Sequence, residues 1–408
     1  MDRRRFLEMG ALGMAGALAG CHLSLEQGMF NPCHEKFPRE IKRHKMIKAA
    51  WRGIDDRLVW DCHAHLVGVG DSDSGAWITP DMESLSHPVQ YIQKTIYMNA
   101  ACAEVDRDID RAFLRRLIQL HKMMPAGVRL MLMAFDWHHD EAGRPVPAQS
   151  TFHTPNDYAR RVAAAFPERF EWIASIHPYR EDCVEALKEA VAGGARAVKW
   201  LPQAMGIDPG SPLCDRFYDA LAAVDLPLIS HAGAEKAVEG PSESFGNPLK
   251  LRRALNRGVR VVVAHCASLG EEVDLDEGPE GPTVESFSLF ERLMDEPAYQ
   301  GRVFGELSAM TQSNRVGRPL QTVIDRTDWH PRLVNGTDYP LPGVMPLFSL
   351  AGFVNEGYLE RHEASVLEQI RIVNPLLFDF VLKRHLQFQG KKLSPIVFYS
   401  RRVFDKGA

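Results

Sequence analysis

At 408 residues, with 45% hydrophobic and 25% charged side chains, the chain can bury a sizeable core in one large domain or two average ones. A formal net charge of −5 and a pI near 6.4 argue against a nucleic-acid footprint, which needs a basic face. Beyond the N-terminus no apolar run is long enough to span a bilayer.

Residues 1–21 read as an export signal. Arg3-Arg4-Arg5-Phe6-Leu7 matches the twin-arginine pattern, and residues 9–20 are weakly hydrophobic and shorter than a membrane span. Leu18-Ala19-Gly20-Cys21 resembles a lipobox, which would place a lipid on Cys21 and anchor the chain on the periplasmic or outer face of the cell envelope. The alternatives are a disordered basic start, or a signal cut without lipidation. Twin-arginine substrates generally cross the membrane folded, so a metal could be loaded before export. Cys33, Cys62, Cys102, Cys183, Cys214 and Cys266 show no paired spacing, so export alone predicts no disulfide framework.

Residues 22–50 read as a polar, basic linker and lead-in. The body then alternates. Strand-like runs fall at 58–63, 128–135, 170–177, 195–201, 226–231, 259–265, 303–307 and 332–335. Helical patterns fall at 106–122, 156–165, 182–192, 215–224, 248–256, 284–294 and 319–327. In the first helix Ile109, Phe113, Leu117 and Leu120 share one face. Eight strands alternating with helices favour a parallel sheet, and one continuous domain over 51–390 favours a closed (β/α)8 TIM barrel, α/β in class. The tail 391–408 carries Ile396-Val397-Phe398-Tyr399, apolar enough to pack on the barrel or on a neighbour.

The polar residues keep phase with this pattern. His63, Asp136, His177, Lys199, His231, His265, Glu306 and Asp338 each stand at or just past the C-terminal end of a strand, where active sites of this fold collect. Asp61, His63 and His65 alternate on one face of the first strand, so Asp61 can orient an imidazole. Imidazoles and a carboxylate converging from several strand ends suit a divalent metal with an open position. Bland roles compete: His138, His139 and His177 can each donate to a backbone carbonyl, Asp338 can cap the turn before Tyr339-Pro340, and Glu306 can satisfy an Arg.

The ordered set resembles the amidohydrolase superfamily, in the amidohydrolase-related branch that includes decarboxylases, lactonases and hydratases. The matching pieces are His63-Ala64-His65, Gly194-Ala195-Arg196-Ala197-Val198-Lys199, Ser230-His231-Ala232-Gly233, Ala264-His265-Cys266, Gly336-Thr337-Asp338-Tyr339-Pro340 and Asn374-Pro375-Leu376-Leu377-Phe378, within 59–386. The resemblance implies His63, His65, His231 and Asp338 as metal ligands. It also implies Asp338 as the proton acceptor and His265 as the group that polarises the substrate carbonyl or assists the metal. The implied cofactor is one divalent ion, zinc first, with manganese or iron also accommodated. Lys199 is a fork: carboxylated, it would bridge two metals; unmodified, it would meet a substrate carboxylate.

The expected activity is hydrolysis of a small-molecule amide, ester or lactone. The alternatives are decarboxylation or hydration of an unsaturated acid, with Lys199 or Arg180 on its carboxylate, and a lipoprotein that binds without turnover. Asp136, His177, Arg180 and Glu306 are the remaining pocket candidates. Two long loops, the glycine-rich 67–80 and the acidic 270–282, would cover the pocket, the first as a mobile segment.

Overall fold

Eight short parallel strands carry the fold in the computed structural model, which describes residues 24–103, 108–235, 238, 240 and 242–405. They are β1 (Trp60–His65), β2 (Arg129–Met133), β3 (Phe170–Ile173), β4 (Val198–Trp200), β5 (Leu228–His231), β6 (Val261–Ala264), β7 (Val303–Glu306) and β8 (Leu333–Val334). Each lies inside a run expected from the sequence, or within two residues of it. The twin-arginine motif and Cys21 lie outside the described residues.

The strands form two parallel sheets, β1-β2-β3 and β8-β7-β6-β5-β4. Two narrow seams join them into a ring. At one, Ala174 bridges Val198, and Lys199 N–H donates to the Ala174 carbonyl over 2.7 Å. At the other, Ala64 bridges Tyr339, Cys62 N–H donates to Asn335 O (3.1 Å) and Asp338 N–H donates to His63 O (2.7 Å).

Alternation along the strands sorts side chains between two cores. Trp60, Cys62, Met131, Met133, Ile173, Ala197, Ile229, Val262, Ala264 and Val334 fill the ring, whereas Leu130, Leu132, Val198, Leu228, Val261 and Val263 face the helical layer. The tail settles on this chain's own barrel: Val403 and Phe404 join the inner cluster, and Arg260 donates to the Val403 carbonyl.

The helices that follow the strands are α1 (Ile109–His121), α2 (Asn156–Ala165), α3 (Cys183–Ala192), α4 (Asp215–Val224), α5 (Arg252–Asn256), α6 (Ser286–Asp295), α7 (Arg318–Asp325) and α8 (Pro375–His385). On α1 the four apolar residues read from the sequence are all buried. For α8 the start is written locally: the Asn374 side chain accepts from Leu377 N–H and Pro375 takes the first helical position. No helix among the described residues is long and apolar enough to cross a membrane.

The lead-in before β1 is helical in part. Helices Arg39–Lys42 and Lys45–Ala50 bury Ile41, Met46 and Ala50. The thiols also depart from the sequence reading, since Cys33 and Cys102 form a disulfide across 69 residues. It joins the lead-in to the end of a helix the periodicity did not reveal, Pro88–Ala100. Closing so long a loop restricts the unfolded chain, so replacing both cysteines by serine is expected to cost about 2–4 kcal/mol. Denaturant unfolding with and without reductant checks this; a double variant as stable as the oxidised wild type would refute it.

The two long loops are ordered by charge. In the first, Val69 N–H donates to Asp110 (2.6 Å), Ser74 Oγ bonds the same carboxylate, and Asp71 accepts from Ile109 N–H at the start of α1 (2.6 Å). The loop expected to be mobile is therefore tied to α1. The acidic segment forms a hairpin, Glu271–Val273 with Thr283–Glu285, in which Arg292 pairs Asp274 (2.6 Å) and Arg252 pairs Asp276.

Candidate metal centre

The β8–β1 seam builds the site. Main-chain bonding across it sets Asp338 beside β1, and Asp338 Oδ1 lies 3.1 Å from His65 Nε2 and 3.4 Å from His63 Nε2. Asp338 takes a left-handed backbone conformation, φ +60, as does His265 at the end of β6, φ +55. A non-glycine residue held there is strained, and such strain concentrates where side chains must be aimed. The carboxylate of Asp338 thus points into the ring rather than only capping a turn.

Hydrogen bonds fix which imidazole nitrogens face inward. Glu306 is fully buried, and its Oε2 accepts from His63 Nδ1 (3.0 Å) and from Ser308 Oγ (2.7 Å). Burial alone would raise its pKa, but His63, His265 and Ser308 outweigh that and hold the carboxyl at about 2. An ionised acceptor requires the proton on His63 Nδ1, which leaves the Nε2 lone pair toward Asp338. For His265, Nδ1 donates to the Ser308 carbonyl over 3.0 Å and leaves its Nε2 open in the same way. Burial pushes the pKa of His63 down and those of His231 and His265 well below the ordinary imidazole range, so all three are neutral ligands at neutrality.

His63, His265 and Asp338 offer ligand atoms within 4.8 Å of one another. His65 reaches Asp338 from the adjoining side, and the His231 ring lies 5.3 Å from that of His265. His231 Nε2 is buried without a hydrogen-bond partner, an arrangement whose cost a bound cation removes. The donor set therefore fits a divalent metal. His265, expected to polarise a carbonyl or assist the metal, sits inside the compact group, with His65 and His231 bordering it.

Other assignments move. Asp61 does not orient an imidazole: its carboxylate accepts from Thr337 N–H (2.9 Å) and Thr337 Oγ1 (2.6 Å), tying β1 to the segment after β8. Burial raises its pKa to about 6 against those bonds. Glu306 pairs with His63 and not with an arginine. Asp136, His177 and Arg180 are absent from the walls of the metal cavity. Asp136 accepts from Arg180 (2.9 Å) and from His177 N–H (2.9 Å), Arg180 also pairs Asp182 (2.7 Å), and Asp136 and Arg180 line a separate cavity. Standing at a strand end fixes height in a barrel but not radius, and these three turn away from the centre. His177 donates to Met205 O and His138 to Ala204 O.

Above the ligands lies a cavity of about 180 Å³, walled mainly by apolar residues such as Val69, Ile78, Met82, Phe135 and Phe152. Lys199, nearly fully buried, opens into it, and burial lowers its pKa against the raising influence of Glu306, Asp338 and Glu235. Gln312, Asn314 and Arg315 from the loop after β7 also line it, and these the sequence reading did not single out. With the cavity open and Asp338 aimed at the imidazoles, a barrel that only binds is not favoured.

Removing the charge of Glu306 while keeping its shape isolates its effect on His63. Glu306→Gln is expected to weaken metal affinity about 10–100-fold. Metal titration of the folded variant checks this; unchanged affinity would mean that Glu306 does not set the imidazole.

Fold and site together define a metal-dependent (β/α)8 enzyme. The profile of the amidohydrolase family matches residues 60–346, and the chain belongs to that family. Among curated proteins nothing matches. Among solved structures, the chain is similar to an uncharacterized TIM-barrel protein from Bordetella bronchiseptica at 14% identity, covering 76% of this chain and 94% of that one, TM-score 0.45. It is similar to a protein from Acinetobacter baumannii described as a probable 2-pyrone-4,6-dicarboxylic acid hydrolase (15%, 78% and 92%, TM-score 0.44). A third is 2,6-dihydroxybenzoate decarboxylase from Rhizobium (12%, 86% and 98%, TM-score 0.39).

Proposed function

We propose that the chain uses one divalent metal, zinc first, to hydrolyse a small-molecule ester, lactone or amide. The observation that carries this is the convergence of His63, His265 and Asp338, with the unpartnered His231 Nε2, beneath a mainly apolar cavity. A divalent cation held by these groups, with His65, supplies Lewis acidity and lowers the pKa of a water. Asp338 is ionised, because His63, His65 and His265 outweigh its burial and hold it well below the carboxylate range. Its Oδ1 faces the imidazoles, and Oδ2 takes the proton of the attacking water. The same oxygen returns that proton to the leaving alcohol or amine as the acyl bond breaks.

A second reading, decarboxylation or hydration of an unsaturated acid, is favoured by Lys199, a buried cation beside the ligands that suits a substrate carboxylate. We also place the enzyme in the cell envelope, exported by the twin-arginine route and lipidated at Cys21. The Cys33–Cys102 disulfide supports an oxidising compartment.

Metal content per chain, in the wild type and in Lys199→Ala, tests the centre. About one metal, retained in the variant, is expected. About two, falling with Lys199, would replace this reading by a binuclear centre bridged by a carboxylated lysine. No metal after reconstitution with zinc or manganese would sink it.

A further inference from the structure

Large apolar side chains left in water are few among the described residues: Leu25, Leu85, Val89, Val191, Leu213 and Leu275. Their placement is one-sided. Leu85, 74% exposed, stands in the turn between Pro80–Glu83 and the helix Pro88–Ala100, and Val89, 46% exposed, in the first turn of that helix. Both elements wall the metal cavity, through Met82 in the first and Lys94, Ile96 and Tyr97 in the second. Leu25, 50% exposed, follows Ser24, whose N–H donates over 3.0 Å to the carbonyl of Pro346, another wall residue. Leu213 and Leu275 lie on the connections that follow β4 and β6, at the same end of the barrel. Only Val191, in the last turn of α3, lies at the opposite end. The export signal adds a second observation. Cys21 precedes Ser24 by three residues, which span at most about 11 Å when fully extended. A lipid on Cys21 therefore holds this end of the barrel close to a bilayer.

We infer that the cavity end of the barrel lies against the lipid bilayer, with Leu25, Leu85 and Val89 as its apolar contacts. The inference rests on the proposed lipidation at Cys21 and adds the orientation that the anchor imposes. Three apolar side chains hold a free protein on a membrane only weakly. A tether makes their contact intramolecular, so a small apolar surface suffices to choose which face turns to the lipid. The charges beside these side chains do not favour anionic lipid. Lys94 is paired with Glu83 (2.6 Å), His87 lies 3.4 Å from Asp81, and the hairpin that carries Leu275 is acidic. The surface that fits is zwitterionic, met by apolar insertion and not by attraction of basic residues. In this orientation the mainly apolar cavity faces lipid, and the bottom of the barrel, with Val191, faces water.

Lipid quenching of single fluorophores tests this. The full chain, exported in a bacterial host and purified, is mixed with phosphatidylcholine vesicles after labelling at one introduced cysteine, Leu85→Cys, Val89→Cys or Val191→Cys. Native thiols do not compete, because Cys33 and Cys102 are bonded and Cys62, Cys183, Cys214 and Cys266 are buried. Lipids carrying a nitroxide near the head group are expected to quench the labels at 85 and 89 at least about twofold more than the label at 191. The inference fails if the three labels are quenched alike, or if those at 85 and 89 escape quenching on chains bound to vesicles. It also fails if labels at 85 quench one another, are relieved by dilution with unlabelled chain and do not respond to the nitroxide lipid, which would assign the face to a second copy. Intact mass separates the two readings. A chain that carries a lipid at Cys21, with labels at 85 and 89 unquenched, would sink this inference alone. A chain without lipid whose labels at 85 and 89 are still quenched selectively would sink lipidation alone, and one without lipid or quenching would sink both.

Discussion

Asp338→Asn is expected to lower kcat/KM by about 10³-fold or more, the largest loss of any single substitution in the site. The amide keeps the size of the side chain but removes both properties on which the site draws. It cannot neutralise the cation that the imidazoles hold, and it cannot take a proton from water. Neither Glu306, committed to His63 and Ser308, nor Asp61, committed to Thr337, can replace it, and Glu235 lies instead against His231. Metal content should fall as well, since the neutral oxygen is a poorer ligand than the carboxylate 3.1 Å from His65 Nε2. The pH profile adds a check with a definite sign. A carboxyl held well below its ordinary value loses its base form only as pH falls through that lowered value, so Asp338 should place no acid limb near pH ~4 or above. Steady-state hydrolysis by the metal-loaded variant decides; activity within about threefold of wild type would remove Asp338 from the chemistry.

Gly336→Ala should be nearly as damaging, although Gly336 touches no substrate. A Cβ at this position would stand 2.5 Å from Glu306 Oε1 and 2.5 Å from His63 Cβ, so the residue that directs His63 and His63 itself would both be displaced. The backbone has little freedom to retreat, because Lys383 Nζ donates to the Gly336 carbonyl over 2.7 Å and is itself paired with Asp379. Overpacking of this kind costs about 1–3 kcal/mol. The expected result is a lowered melting temperature together with loss of most bound metal. An alanine variant that melts and loads like the wild type would show that the segment after β8 yields.

The framework was readable because the barrel writes each strand as a short apolar run and each active-site position as the ionisable residue that ends it. Val261-Val262-Val263-Ala264 followed by His265 shows both signals at once. The helix Pro88–Ala100 escaped because its apolar residues face two environments: Ile92 and Ala100 meet Val344, and Tyr97 and Met98 line the cavity, so no single stripe repeats. Within the site, His63, His265 and Asp338 followed from strand position. Asp136 and Arg180 misled because the loops after β2 and β3 turn them into a neighbouring cavity, a choice made by the Arg180 pair to Asp136 and Asp182. His177 misled because its ring is spent on the Met205 carbonyl. Arg315 had no signal to read. It lies nine residues past β7 in an irregular loop, and only three-dimensional packing brings it to the cavity wall. The disulfide was invisible for the same reason, since its two cysteines meet only after the lead-in wraps onto the helix.

The β8–β1 seam also sets an order of assembly. His63 and His65 emerge early in synthesis, whereas Asp338 arrives with the last strand and reaches them only when its N–H closes onto the His63 carbonyl. Until that closure the nascent chain presents imidazoles without their carboxylate and holds a cation weakly. Afterwards every bound ion favours the closed ring over the open one, by an amount that grows with the free metal concentration. Binding of an ion and closure of the ring are therefore linked, each favouring the other.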